Sequence, residues 1–100
     1  MDSDQRERVE RRARLLKSLA HPSRLLIVEL LAVRPHDVSE LTQVIGADIT
    51  TVSKHLTVLK KAGIVRNQRR GQHSDYELSC TCINHFIECI ESDLKDKKDL

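Results

Sequence analysis

Apolar residues recur at helical spacing along most of the chain, and the stretch 38–62 shows the pattern most clearly. Its first part carries four apolar residues whose spacing places them on one helix face: Val38, Leu41, Val44 and Ile45. Gly46 suits the left-handed conformation that ends a helix, and Asp48 stands where the N-cap of a second helix belongs. The pattern therefore predicts a short amphipathic helix, a turn and a second helix over about 49–62.

The second of these helices has a polar surface of unusual composition. Val52, Leu56 and Leu59 form its apolar stripe, and the other positions carry hydroxyl and cationic side chains. Short donors and acceptors near a helix N-terminus, with cations for phosphates, suit entry into the DNA major groove. The arrangement is typical of a helix-turn-helix over about 38–62. An ordinary helical hairpin with a solvated face is the alternative.

After Gly63 the period of the apolar pattern changes. Two short strands are predicted at about 64–65 and 75–78, and between them lies a basic segment that contains Gly71. Because glycine accepts the positive φ of a tight turn, this segment predicts a β-hairpin over about 64–78. A basic hairpin directly after a DNA-reading helix is a wing, whose arginines reach phosphates or a narrow minor groove. A plain surface hairpin is the alternative.

The flanking segments predict three more helices. Residues 1–20 form a charged amphipathic helix, which is solvated or packs in a dimer. Pro22 opens a helix to about Val33 that is apolar nearly all round and forms the core. The segment 34–37 reads as a turn in which His36 is expected to be solvated. A last helix over about 80–95, beginning between Cys80 and Ile83, repeats apolar residues near the 3.5 spacing, which favours pairing with a second copy over packing onto its own domain.

These elements predict a mainly α fold with a small β-hairpin, a winged helix-turn-helix that dimerises through its terminal helices. With 100 residues the chain forms a single domain, 1–100. The net charge is only +2, but residues 49–74 contain no Asp or Glu and six Lys or Arg. Such a local basic patch fits a polyanion-binding surface. The only aromatics are Tyr76 and Phe86, which argues against a binder of single strands that works by base stacking.

The sequence also excludes several classes of protein. No apolar run approaches the roughly 18 residues of a membrane span, and no signal peptide is recognised, so we expect a cytoplasmic protein without membrane contact. In that compartment the three cysteines are expected to be reduced. No phosphate-binding glycine loop, paired carboxylates or nucleophile with a placed base is present, so we do not expect an enzyme.

The chain resembles the ArsR/SmtB family of bacterial and archaeal winged-helix repressors. The resemblance covers nearly the whole chain and is carried by three segments: Leu-Ala-His-Pro-Ser-Arg-Leu at 19–25, Thr-Val-Ser-Lys-His-Leu-Thr-Val-Leu-Lys-Lys-Ala-Gly-Ile-Val at 51–65, and Gly71 through Tyr76-Glu77-Leu78. It implies a homodimeric repressor that binds double-stranded operator DNA and releases it when an effector arrives. The DNA-binding residues that it implies lie on the reading helix and on the wing: Thr50, Thr51, Ser53, Lys54, His55, Arg66, Arg69 and Arg70.

At the positions that align with the family's effector sites, this chain carries other types of residue. The Cys-Val-Cys box of arsenic-sensing members aligns with Asp37, Val38 and Ser39. The ligands of the zinc-sensing members align with four residues near the C-terminus: Cys80, Cys82, Asp93 and Asp96. Two thiolates with two carboxylates form a mixed soft and hard set for one ion, so a zinc site of the family type is not expected.

The three cysteines, Cys80, Cys82 and Cys89, all fall in the region of the family's sensor helix. Three readings stay open. The thiolates bind a soft metal or metalloid ion such as arsenite, zinc, cadmium or copper(I), a cysteine pair is a redox or reactive-sulfur switch, or the thiols are packing residues. Cys82 and Cys89 are about 10 Å apart along a helix, which excludes a disulfide between them within one intact helix. Cys80 is placed at a helix start, where the macrodipole favours a thiolate.

We favour a repressor with a soft metal or metalloid effector and no required cofactor. A redox or reactive-sulfur sensor is the alternative on the effector side. A winged-helix module that binds a protein partner is the alternative from another class, and the acid-free window 49–74 argues against it.

Overall fold

The computed structural model describes the backbone of residues 1–96 and the side chains of residues 1–95. Within this range the chain forms five helices and one antiparallel hairpin. In chain order they are α1 (Ser3–Leu19), α2 (Pro22–Val33), α3 (Val38–Ile45), α4 (Ile49–Lys61), β1 (Val65–Arg70), β2 (His73–Leu78) and α5 (Ile83–Asp96). The mainly α fold with a small hairpin is confirmed.

Local chemistry sets the ends of the helix pair α3–α4. Asp37 caps α3 through a reciprocal box, since its side chain accepts from the Glu40 N–H at 2.8 Å and the Glu40 side chain accepts from the Asp37 N–H at 3.1 Å. Gly46 ends α3 with φ of 78°, the left-handed conformation that glycine adopts without strain. Asp48 then caps α4. The turn between the two helices is thus encoded by two nearby signals, Gly46 and Asp48.

One apolar core holds the helices and the base of the hairpin together. Its buried members come from α2, α3, α4 and the start of β1: Ile27, Val28, Leu31, Leu41, Val52, Leu56, Leu59, Ile64 and Val65. The apolar stripe predicted for the second helix of the pair, Val52, Leu56 and Leu59, is fully inside. Because α4 is anchored along this face, its opposite face is directed outward.

The segment between α2 and α3 pairs with the hairpin. The His36 N–H donates to the Tyr76 carbonyl at 3.1 Å, and the Tyr76 N–H donates to the His36 carbonyl at 2.8 Å. His36 is buried, and its Nδ1 lies 2.8 Å from the Arg34 carbonyl oxygen. The expectation of a solvated His36 is therefore wrong, because the backbone pairing draws this turn against β2.

The two terminal helices leave apolar side chains on the surface. Leu15 and Leu16 of α1 are 44% and 54% exposed, and Phe86 and Ile90 of α5 are 54% and 43% exposed. These helices also line one apolar groove of about 390 Å³. None of the described helices combines the length and the apolar character needed to cross a membrane.

Candidate nucleic-acid interface

The outward face of α4 carries the polar residues that the sequence singles out. Thr50, Thr51, Ser53 and Lys54 are all exposed, whereas Val52 between them is buried. The separation follows from helical geometry, because residues three or four positions apart share a face. The N-terminal half of α4 therefore presents hydroxyl groups and one cation to an incoming ligand.

Asp48 orients one of these hydroxyl groups as well as capping the helix. Its Oδ1 accepts from the Thr51 N–H at 2.8 Å, and its Oδ2 accepts from the Thr51 hydroxyl at 3.1 Å. Both hydrogen bonds lower the pKa of the Asp48 carboxyl below its usual 3.8. The sequence indicates the cap, but the second contact depends on the Thr51 rotamer and is seen only in the structure.

The structure places His55 differently from its neighbours on α4. Its ring is half-buried and packs against the ring of His21, with centroids 4.3 Å apart and planes inclined by 42°. Burial lowers the pKa of His55, and the nearby charges of His21 and Arg24 lower it further. His55 therefore joins the start of α2 to the middle of α4, whereas Thr50, Thr51, Ser53 and Lys54 on the outer face are exposed.

Gly71, at φ of 64°, lies in the two-residue turn that joins β1 to β2. The strands are longer than predicted, so all three predicted wing arginines lie in β1 and not in a loop. Side chains alternate across a strand, which puts Arg66 and Arg70 on one face and Arg69 on the other. The wing thus presents arginine on both of its faces.

Strand pairing also changes the charge balance of the wing. Arg66 lies opposite Glu77, and its Nε donates to the Glu77 Oε1 at 2.6 Å. Hydrogen bonds from Arg66 and then Gln68 lower the pKa of Glu77 below its usual 4.5. Asp75 lies opposite Gln68 on the same face. The window 49–74 is free of acid in sequence, but the register brings two carboxylates from just beyond it beside β1.

Arg69 is on the face without these carboxylates. Its Nε donates to the Gly71 carbonyl at 3.2 Å, and the residue is an exposed cation. Its cross-strand partner is the neutral Ser74. Of the three predicted wing arginines, Arg69 is the one whose positive charge is least neutralised by nearby carboxylates.

Cys80 and Cys82 lie before α5 and not within it. The Cys82 carbonyl accepts from the Phe86 N–H at 2.9 Å, so Cys82 is the residue that immediately precedes the helix. Placing Cys80 at the helix start was wrong, because the helix begins only at Ile83. The two Sγ atoms are 3.1 Å apart. The hydrogen bond between the thiols lowers the pKa of Cys80 and raises that of Cys82, because ionisation of one thiol opposes ionisation of the other.

The remaining candidate sensor residues lie farther along α5. Cys89 and Asp93 are exposed, and α5 rises about 15 Å between its start at Ile83 and Asp93. One subunit therefore does not bring Asp93 to the Cys80–Cys82 pair. The side chain of Asp96 lies outside the described residues.

Comparison with known proteins agrees with this geometry. The model of the family described as bacterial regulatory protein, arsR family, matches residues 21–67, which span α2 through the first residues of β1. The HTH-type transcriptional regulator YgaV of Escherichia coli is 32% identical over 84 residues, which cover 83% of this chain and 85% of that protein. The chain belongs to the ArsR family. The resemblance seen in the sequence is thereby confirmed, as is the prediction that the chain is a DNA-binding transcriptional regulator and not an enzyme.

Two further relatives describe the range of this similarity. The biofilm growth-associated repressor of Xylella fastidiosa is 40% identical over 76 residues, which cover 76% of this chain and 67% of the repressor. A homodimeric winged helix-turn-helix DNA-binding domain from Mycobacterium bovis superimposes with a TM-score of 0.81 over 99% of this chain and 92% of that one, at 24% identity. The fold of this ArsR-family regulator is thus that of a winged helix-turn-helix DNA-binding domain.

Proposed function

We propose that this ArsR-family regulator is a homodimeric repressor that inserts α4 into the major groove of operator DNA. The exposed face of α4 is the observation that carries the proposal. Thr50, Thr51, Ser53 and Lys54 stand clear of the core, and the same helix is held by its buried apolar stripe. A rigid helix with short polar groups at its N-terminal end matches the width of the groove and the hydrogen-bonding edges of the bases.

The wing would supply contacts to the backbone of the duplex. Arg69 and Arg70 are exposed beside the turn at Gly71, where a hairpin tip reaches phosphates or the minor groove. Arg66 is already neutralised by Glu77, so its contribution is expected to be smaller. Such contacts fix the position of a protein on DNA without reading its sequence.

A second copy of the chain is the partner that suits the apolar surface of α1 and α5. Four large apolar side chains on these two helices are between 43% and 54% exposed: Leu15, Leu16, Phe86 and Ile90. Their burial against a second copy would remove this surface from water, which is favourable. A two-fold dimer also presents two copies of α4 to two DNA half-sites. The M. bovis domain of the same fold is homodimeric.

The Cys80–Cys82 pair is the proposed effector site. The thiols are in contact at 3.1 Å, and both residues line the apolar groove between α1 and α5. Adjacent thiolates are suited to a soft ion such as arsenite, cadmium or copper(I). Because the pair borders the proposed dimer surface, a ligand there would change the relation between the two subunits. A reactive-sulfur species acting on the same thiols is the second candidate effector.

Operator binding is tested with Lys54→Ala, using fluorescence anisotropy on labelled duplex containing the operator. Lys54 is on the exposed face of α4, whereas Lys95 is an exposed lysine of α5 and gives the control Lys95→Ala. We expect the first variant to bind at least about 10-fold more weakly and the second to bind like the parent protein. Unchanged affinity of Lys54→Ala at moderate salt would show that α4 is not the reading helix.

Effector control is tested by adding arsenite, zinc, cadmium, copper(I) or a persulfide donor to the preformed DNA complex. We expect at least one to release the DNA, and we expect the double variant Cys80→Ser, Cys82→Ser to remain bound. Cys89→Ser is the matched control and should respond like the parent protein. Release by none of the reagents, or equal release of the double variant, would rule out this sensor.

A further inference from the structure

A second cluster of ligating side chains lies between the wing and the start of α3, formed by Asp37, His73 and Asp75. The Nε2 of His73 is 2.8 Å from the Asp75 Oδ1 and 3.7 Å from the Asp37 Oδ2. One ligand atom from each of the three residues lies within 4.8 Å of the others. The cluster contains no thiol and involves neither α5 nor the outer face of α4.

The backbone explains why residues so distant in sequence meet here. His36 pairs with Tyr76 in antiparallel sense, so the residue after His36 lies opposite the residue before Tyr76. Those residues are Asp37 and Asp75. His73 is two positions before Asp75 on β2 and therefore shares its face. Strand pairing thus brings the three residues together, and their side-chain rotamers set the distances between the ligand atoms.

The electrostatics of the cluster favour a cation. Carboxylates directly opposite each other across paired strands repel. The Arg34 guanidinium attracts both carboxylates electrostatically, but its hydrogen bonds go to the Glu40 Oε2 at 2.7 Å and to the Pro35 carbonyl at 2.9 Å. Asp37 uses its Oδ1 to cap α3, which leaves its Oδ2 directed at His73. The His73 imidazole is then the one side chain, among the described residues, that contacts both carboxylates.

We propose that Asp37, His73 and Asp75 form a binding site for a divalent cation of the zinc type. One imidazole nitrogen with two carboxylate oxygens is a donor set for borderline ions such as Zn²⁺ and not for the soft ions that thiolates select. Ligand atoms about 2.0–2.2 Å from a tetrahedral zinc are about 3.4 Å from one another. The present separations reach this value through side-chain movements of about 1 Å. Since the His73 side chain is 56% exposed, water can complete the coordination.

Such an ion would join the start of α3 to β2. Asp37 is the N-cap of α3, and His73 and Asp75 lie in the wing. The ion would thus hold the wing against the helix-turn-helix. Any effect of the ion on DNA affinity rests on the proposed function, whereas binding of the ion to the protein does not. If the ion changes the affinity for DNA by some factor, DNA must change the affinity for the ion by the same factor.

The site is tested by zinc titration against a chromophoric chelator, without DNA and in a background in which all three cysteines are serine. We expect one zinc ion per subunit, with affinity reduced at least about 10-fold by His73→Gln and by Asp75→Asn. Asp37→Asn should also weaken binding while keeping the cap, because Asn caps helices as well as Asp does. His85→Gln, which changes an exposed histidine of α5, is the matched control.

Two results would overturn the site. One is the absence of saturable zinc binding in the cysteine-free protein, and the other is retention of full affinity in both His73→Gln and Asp75→Asn. Circular dichroism of each variant verifies that the fold is intact. Because the measurement contains no DNA, failure of the DNA-binding proposal would leave its outcome unchanged.

Discussion

Substitution of Arg69 by alanine tests whether the wing contacts phosphates. Arg69 is exposed, and its strand partner Ser74 is neutral. In a dimer the change removes two phosphate contacts, one per subunit. Each neutralised phosphate contributes about 0.9 to the slope of log affinity against log salt, so we expect the slope to fall by about 1.8. A rise in salt from about 50 to about 200 mM then weakens the parent protein about 12-fold more than the variant.

The assay is fluorescence anisotropy with a labelled duplex of random sequence over several salt concentrations, because phosphate contacts do not depend on sequence. Arg8→Ala on α1 is the control and should leave the slope unchanged. The double variant Arg66→Gln, Glu77→Gln should also retain nearly the parent slope, since it removes a pair of opposite charges that contact each other at 2.6 Å. An unaltered slope for Arg69→Ala, or an equal fall for Arg8→Ala, would refute the phosphate contact.

Three further predictions concern stability. Leu56 is 1% exposed, so Leu56→Ala should lower the free energy of unfolding by about 2–5 kcal/mol in urea denaturation, and a change below about 1 kcal/mol would place it outside the core. Gly71→Ala forces a side chain into φ of 64° and should cost about 1 kcal/mol in the same assay, whereas Gly71→Asn should cost less; equal costs would contradict the turn geometry. The pKa of His55 is lower in the folded protein than the usual 6.5. The neutral imidazole therefore contributes to stability above pH 6.5, and this contribution is lost as the pH falls through the lower pKa of the folded state. Melting at pH 7.5 and 5 should show a smaller loss for His55→Gln than for the parent, and an equal loss would count against the packing of His55 on His21.

The helix pair could be predicted closely because its signals are local. The apolar stripe of α4 repeats every three to four residues, and Gly46 and Asp48 mark the end of one helix and the start of the next. The same periodicity indicates which face of α4 is buried, and so which face is free for DNA. The start of α5 falls at Ile83, the far end of the predicted range, and Cys80 was wrongly placed at the helix start because neither Cys80 nor Cys82 carries a strong capping signal.

The sequence by itself determined the order of the elements, the polar face of α4 and the membership of the family, because each depends on neighbouring residues or on short motifs. Tertiary structure alone decided which charges meet. Pairing of β1 with β2 puts Glu77 beside Arg66, and the bridge from His36 to Tyr76 buries His36 and brings Asp37 to His73. These contacts join residues up to 40 positions apart. Strand register sets them, and it leaves no trace in the local pattern of apolar and polar residues.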